Sequence, residues 1–231
     1  MLIQSFTRNT RGRDLIVGDV HGCFSALQAH LDVLGFDPEV ERLFCTGDLV
    51  DRGAESDLAK EWLSNKPWFY TVRGNHEAMC IDVFDGEMEP SVHAWNGGDW
   101  FVGMTRTEQA EFVALFRNLP IALELETSSG TVGIVHAECP VADWNDLPIA
   151  FEHENADAYI AACLWSRSRY DSKCVRPVEN VRAVVVGHYS LDRWTTLGNH
   201  LYIDTGAVYD GRFTVLDAET LRPARSKAWV Y

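Results

Sequence analysis

No C-x-x-C pair occurs among the six cysteines, no apolar run approaches the roughly 20 residues that span a bilayer, and no tract is repetitive or of low complexity. The first absence removes the zinc-ribbon and dithiol readings. Several of Cys23, Cys45, Cys80, Cys139, Cys163 and Cys174 sit in apolar runs, where a thiol behaves as a small hydrophobe, so reduced thiols in a cytosol are expected. The opening Met1-Leu2-Ile3-Gln4-Ser5-Phe6-Thr7-Arg8 lacks the apolar core of a signal peptide, and a cytoplasmic location follows as the expectation. Positive charge is also scarce: 20 basic residues face 34 acidic ones, for a net charge of −14. That balance excludes a nucleic-acid backbone or an anionic membrane as the main partner. An anionic substrate would need the field reversed locally, which bound metal ions can do because they are often the largest charges in a site.

The 231 residues are enough for one sizeable core, and a single domain over 1–231 is expected, with a monomer as the default state. The segment Arg13 to Val17 ends in Gly18-Asp19, and from Cys23 the apolar positions Leu27, Leu31 and Leu34 recur at helical spacing until Gly35. This strand–turn–helix unit repeats as Arg42–Thr46, Gly47–Gly53 and a helix from Ala54 to Leu63. It repeats again as Trp68–Val72, Arg73-Gly74 and a helix starting at Asn75. Three such units predict a largely parallel open sheet with the charged turns along one edge, where ligands gather in α/β folds. Asp85 to Asn118 reads as mostly helical around an Asn96-Gly97-Gly98 turn. Beyond Pro120 the period becomes two, with a hairpin of Ile121–Glu126 and Thr131–Val135 ending at His136. A long loop from Glu138 to Glu154, a helix over Ala156–Leu164 and strands at Ala183–Val186, His200–Ile203 and Phe213–Leu216 complete a half that reads as antiparallel.

The strand-end turns supply Asp19, His21, Asp48, Asn75, His136 and His188, a carboxylate, imidazole and amide set without thiolate. Such donors suit manganese or iron, with zinc as a further candidate. If Asp48 bridges, Asp19 and His21 complete one ion while Asn75, His136 and His188 complete the other. Two ions about 3.5–4 Å apart can share a hydroxide and clamp both ends of an in-line displacement at phosphorus. Each residue also has a structural reading: Asp19 and Asn75 could cap helices, and His136 and His188 could be hydrogen-bonded core histidines. Six coincidences at successive strand ends favour the joint metal-centre reading.

Gly18-Asp19-Val20-His21-Gly22, Gly47-Asp48-Leu49-Val50-Asp51-Arg52-Gly53 and Gly74-Asn75-His76-Glu77, in that order, resemble the metal-dependent phosphoprotein phosphatase family. Asn96-Gly97-Gly98, His136-Ala137-Glu138-Cys139-Pro140 and Ile203-Asp204-Thr205-Gly206-Ala207 resemble its bacterial and bacteriophage branch. The resemblance runs from about Asp14 to Leu216 and is most specific in the first 80 residues. It implies an α/β calcineurin-like metallophosphoesterase fold, a central β-sandwich of two mixed sheets flanked by helices, in place of the open sheet. It implies two divalent metal ions, Mn2+ first with iron or zinc as alternatives, and hydrolysis of phosphoserine and phosphothreonine, with phosphotyrosine as a further candidate, by direct attack of a metal-bridging hydroxide. Phosphoproteins or phosphopeptides would be the substrates. His76 would be the general acid, with Asp51 holding its ring. Arg52 and Arg167, the latter in Leu164-Trp165-Ser166-Arg167, would bind the phosphoryl oxygens, and Arg73 would add positive potential or pair with a nearby carboxylate. Glu77 reads as a first-turn dipole partner. His30, His93, His153 and His200 match no motif and read as surface or core residues.

Wider metallophosphoesterases end the site with Gly-His-x-His, whereas this chain has Gly187-His188-Tyr189-Ser190. The nearer rival is a symmetrical dinucleoside tetraphosphate hydrolase, which shares Gly-Asp-Val-His-Gly-Cys. Asp51 and Glu77 favour the protein phosphatase over it. A rival of another class is an inactive phosphoprotein-binding module on the same scaffold, and metal content after chelator-free purification separates that from an enzyme.

Overall fold

The computed structural model describes residues 1–227. Residues 228–231 of the expected domain lie outside the described residues. In chain order, β1 (Ile3–Phe6) precedes β2 (Asp14–Val17), α1 (Phe24–Leu34), β3 (Arg42–Cys45), α2 (Ala59–Asn65), β4 (Phe69–Thr71) and α3 (Asn75–Asp85). A helical segment follows as α4 (Pro90–His93), α5 (Asp99–Val102) and α6 (Arg106–Asn118), with a π-helical turn at Ala94–Gly98 between the first two. The rest is β5 (Ala122–Thr127), β6 (Gly130–Val135), α7 (Leu147–Glu152), α8 (Ala156–Trp165), α9 (Ser168–Asp171), β7 (Ala183–Val186), β8 (Thr195–Leu197), β9 (His200–Tyr202), α10 (Ala207–Asp210), β10 (Val215–Asp217) and β11 (Arg222–Pro223).

The strands form two sheets, one ordered β1-β5-β6-β7-β9-β8 and the other β11-β10-β2-β3-β4. Both are mixed: β2, β3 and β4 run parallel, β10 is antiparallel to β2, β5 and β6 form an antiparallel hairpin, and β6, β7 and β9 run parallel. Successive side chains point to opposite faces, so each central strand buries two surfaces. Ile16 and Phe44 of one sheet meet Leu123, Ile134 and Val185 of the other in the layer between them. Their neighbours Leu15, Val17, Leu43 and Cys45 face outward onto Leu27 and Leu31 of α1, Trp62 of α2 and Phe116 of α6. On the far side, Val184 and Val186 pack on Leu147 of α7 and Cys163 of α8. The result is a β-sandwich with helices on its two outer faces, the calcineurin-like metallophosphoesterase architecture.

The open sheet expected from periodicity is thus corrected: the inner face of β2–β4 is covered by a second sheet, not by helices. The antiparallel reading of the second half is corrected too, since β7 lies parallel to both of its neighbours. Helix α7 occupies part of the segment Glu138–Glu154 read as loop, and β1 and β8 were not foreseen. Because β2, β3, β4, β6 and β7 all end at one edge of the sandwich, the turns after them converge there.

Candidate active site

The turn after β2 carries Asp19 and His21, that after β3 carries Asp48, Asp51 and Arg52, and Asn75 and His76 open α3 after β4. His136 follows β6 and His188 follows β7 in the opposite sheet. His21, Asp48, Asp51, Arg52 and His188 all have φ between 44° and 72°. A left-handed backbone at non-glycine residues is uncommon and costs energy, and among the described residues only Lys173, Asn180 and Leu221 share it. Five of these eight described residues lie in the site turns.

Two imidazoles are oriented by backbone carbonyls. His21 Nδ1 donates to the Val50 carbonyl at 2.9 Å and His136 Nδ1 to that of Thr46 at 2.8 Å. That leaves each Nε2 as an unprotonated lone pair. Both lone pairs face Asp48 Oδ2, at 3.6 Å from His21 and 3.4 Å from His136. His136 Nε2 also lies 2.8 Å from Asn75 Oδ1, which is 2.9 Å from His188 Nδ1. Lone pair facing lone pair is unfavourable unless a cation sits between them. Asp48 Oδ1 accepts from the His76 backbone N–H at 3.0 Å, which leaves Oδ2 at the centre of the group.

The charges ask for the same cation. Burial together with Asp204 and Asp48 pushes the Asp19 carboxyl well above its ordinary value, and burial with Asp48 nearby pushes Asp204 up to about 6. Burial lowers His21 to about 3 and, with His136 adjacent, His188 to about 3. Burial opposes ionisation of Asp48, but His136, His76 and His21 outweigh it and hold Asp48 below the usual carboxylate range. Crowded carboxylates and neutral imidazoles are what a divalent cation binds. Ligand atoms of Asp48, His136 and His188 lie within 4.8 Å of one another, as do those of His21, Asp48 and His76. Asp19 is directed differently, accepting from Thr46 Oγ1 at 2.7 Å and from the His188 N–H at 2.8 Å, so it ties the two sheets together beside the donor group.

His76 is buried, and its Nδ1 lies 2.7 Å from Asp51 Oδ2. Burial disfavours its cation, yet Asp48 and the hydrogen bond to Asp51 raise it above its ordinary value. The exposed Arg52 reaches across the mouth, with Nη1 2.5 Å from His21 Nε2 and Nη2 3.0 Å from His76 Nε2. Arg167 is exposed on the other rim, Nε 3.4 Å from His188 Nε2 and its guanidinium over the Tyr189 ring. Arg73 is elsewhere: its Nε and Nη2 donate to the carbonyls of Phe116, Arg117 and Leu119 at the C-terminal end of α6. Carbonyls at a helix C-terminus lack the full set of helical partners, only that of Phe116 here taking the Leu119 N–H as well, and the guanidinium satisfies them. Arg73 is therefore removed from the substrate-binding set.

Three residues play larger parts than their motifs suggested. Glu77 is fully buried and accepts from the backbone N–H groups of Gly74 and Leu49 at 2.8 Å and of Asp48 at 3.1 Å. It clamps the Asp48 turn onto α3. His93, read as a surface or core residue, is fully buried and directs Nε2 at Asp51 Oδ2 from 2.7 Å. Trp100 Nε1 donates to Asp51 Oδ1 at 2.6 Å. The Asn96-Gly97-Gly98 motif serves Arg52 and His93: the Gly97 carbonyl accepts from the Arg52 N–H at 3.1 Å, and a Cβ on Gly98 would lie 2.3 Å from the His93 ring.

With this geometry in place, comparison with known proteins defines the class. The chain belongs to the calcineurin-like phosphoesterase family, whose model matches residues 13–199. It is 36% identical over 205 residues to serine/threonine-protein phosphatase 2 of Salmonella typhimurium, covering 86% of this chain and 89% of that protein. A shorter match, 33% over 130 residues, is to a symmetrical bis(5'-nucleosyl)-tetraphosphatase of Methylococcus capsulatus, with 56% of this chain and 44% of that protein covered. Among solved structures, a putative diadenosine tetraphosphatase aligns with TM-score 0.65 and 19% identity over 95% of both chains, a likeness of fold.

Proposed function

We propose that the chain is a metal-dependent phosphoprotein phosphatase that hydrolyses phosphoserine and phosphothreonine monoesters, as one catalytic domain acting in the cytoplasm. The observation that carries this reading is the His76–Asp51 pair beside the Asp48 donor group. A serine alkoxide is a poor leaving group and needs a proton in the transition state, worth about 10²–10⁴-fold in rate. A buried imidazole with Nδ1 on a carboxylate at 2.7 Å can give one from Nε2 once Arg52 Nη2, 3.0 Å away, withdraws from it. Support also comes from the Salmonella relative, similar over most of both chains.

Asp19, His21 and Asp48 would hold one divalent ion, and Asp48, Asn75, His136 and His188 a second, with manganese the first choice for donors of this hardness. Bound there, such ions would supply a water acidified to a nucleophile and neutralise phosphoryl charge. The remaining work belongs to side chains. Arg52 presents a planar guanidinium at the mouth, where it can take two phosphoryl oxygens, and to do so it would have to leave its contacts with His76 Nε2 and with the His21 Nε2 lone pair that the metal would take. Arg167 would take an oxygen from the opposite rim. Asp51 keeps Nδ1 of His76 protonated, so that Nε2 is the atom that releases a proton to the leaving oxygen.

The test is a substrate panel with added manganese: phosphoserine, phosphothreonine and phosphotyrosine peptides, nitrophenyl phosphate and a dinucleoside tetraphosphate. Phosphopeptide hydrolysis with the highest kcat/KM, abolished by chelator and restored by manganese, is expected. Faster turnover of the tetraphosphate would replace this reading with the hydrolase suggested by the Methylococcus relative. Manganese uptake with no turnover of any substrate would leave a binding module.

A further inference from the structure

We propose that His93 is a positioning residue for His76, acting through Asp51. The proposal rests on the phosphatase reading above. Its ground is a shared atom: His76 Nδ1 and His93 Nε2 each lie 2.7 Å from the same oxygen, Asp51 Oδ2. A carboxylate oxygen offers two in-plane lone-pair directions, and here each is taken by an imidazole N–H. The other oxygen, Oδ1, is taken by the Trp100 indole N–H at 2.6 Å. Three donors therefore fix the carboxylate against rotation. Burial opposes ionisation of Asp51, yet the hydrogen bonds from His76 and His93 hold it below its ordinary value. With His93 removed, Oδ2 has one donor and the carboxylate can turn about its Cβ–Cγ bond, taking the His76 ring out of line.

His93 is itself over-determined in place. Its ring is fully buried, packs on Phe101 with centroids 5.7 Å apart, and fills the space that only a glycine at 98 leaves open. Cys80 Sγ is 3.8 Å from Nε2, a long contact with a weak sulfur partner beside the 2.7 Å contact to a carboxylate. His93 Nδ1 is buried with no hydrogen-bond partner in the structure. An orphaned polar atom is unfavourable, and a leucine or phenylalanine would fill the same space without it. What an apolar residue lacks is the Nε2–H on Asp51. The packing explains where the ring is; only the hydrogen bond explains why it is a histidine.

Two variants separate positioning from packing. His93→Leu removes the donor, and His93→Gln places an amide N–H near the position of Nε2. Kinetics with manganese should show His93→Leu lowering kcat on a phosphoserine peptide about 10- to 100-fold, the range for loss of an orienting partner. The loss on nitrophenyl phosphate should be smaller, because nitrophenolate leaves without a proton. KM and manganese content should hold, His93→Gln should recover most of the peptide activity, and His93→Leu added to Asp51→Asn should cost little more than Asp51→Asn alone. Equal losses on both substrates, no rescue by Gln, or additive losses would each overturn the proposal. A measurement independent of turnover and of the variants is the histidine tautomer in the metal-free wild type, read by 15N–1H NMR. His93 should carry its proton on Nε2 with a downfield N–H resonance, and a proton on Nδ1 overturns the proposal. Failure of the wild type to hydrolyse phosphopeptides would count against the phosphatase reading alone, since the NMR result still decides where His93 bonds.

Discussion

Replacing Glu77 by Gln should destabilise the protein in the presence of manganese far more than in its absence. In the wild type, Oε2 accepts from the Gly74 and Asp48 N–H groups and Oε1 from that of Leu49, all inside the protein. A glutamine of the same shape keeps one oxygen. In its better orientation it retains the first two bonds and sets its NH2 against the Leu49 N–H, losing a bond to a charged acceptor and orphaning a buried donor, for about 2–3 kcal/mol. Without metal, an opposing effect cancels much of this. Burial and the Asp48 charge raise the Glu77 carboxyl from an ordinary 4.5 to about 7, so its anion is itself unfavourable. The folded state then binds more protons than the unfolded one between those values, and wild-type stability falls as pH rises from about 4.5 through about 7. Glutamine has no such loss. A cation on Asp48 removes the repulsion and exposes the full penalty. By linkage the metal-dependent difference equals the loss of binding free energy, so manganese affinity should drop by at most about 30- to 150-fold, the value reached if the metal-free cost vanishes. The assay is denaturant unfolding at pH 7 in chelator and in saturating manganese, with calorimetric titration of manganese. An equal cost in both conditions, or an unchanged affinity, would refute the reasoning.

Asp48→Asn should reduce manganese affinity more than Asn75→Ala, because Asp48 Oδ2 faces the lone pairs of both His21 and His136 while Asn75 faces only the His136–His188 side; equal affinities by titration would remove the bridging role. Arg52→Ala should leave stability within about 1 kcal/mol, as for other exposed charged groups, while weakening inhibition by inorganic phosphate and lowering kcat/KM; unchanged phosphate inhibition would take Arg52 out of the site. His200, fully buried with Nε2 accepting from the Cys139 N–H, is lowered to about 3 by burial and Arg169. Since the unfolded chain protonates it near 6.5, stability should fall as pH drops below that value, by about 1.4 kcal/mol at pH 5.5. His200→Gln should flatten that part of the curve, and identical pH profiles would contradict it.

The parts of the site that lie in one turn were readable from the sequence because their chemistry is local. Asp48 and Arg52 in a glycine-flanked turn, or Asn75 and His76 at a helix start, carry their meaning within a few residues. Glu77 was undervalued because its partners at 48 and 49 are close only in space, and His93 because the carboxylate it holds is 42 positions away. Arg73 looked like part of the site because it adjoins Asn75, but three carbonyls at the end of α6 claim it. The sandwich itself was legible only through family resemblance. Alternation along Leu15-Ile16-Val17 shows that both faces of β2 are buried, and it is silent on whether a helix or a sheet covers each. Strands as short as β1 leave little period to read, and β1 pairs with β5 across more than a hundred residues.

The donor group draws on both sheets, and this sets an order in time. Asn75 Oδ1 meets His188 Nδ1 across a sequence separation of 113, and the His188 N–H reaches Asp19 across 169. A ribosome adding about 5–20 residues per second leaves roughly 6–23 s between the synthesis of position 75 and that of position 188. Throughout that interval the nascent chain displays Asp19, His21, Asp48 and Asn75 without His188, and over the first 61 residues of it without His136 as well. The half-made protein would hold any divalent ion loosely at an open, acidic edge, and the donor group is incomplete until the turn after β7 has emerged. Metal selection in the cell would then be made by the finished chain, after release of the segment carrying His188, rather than by whichever ion is encountered first during translation.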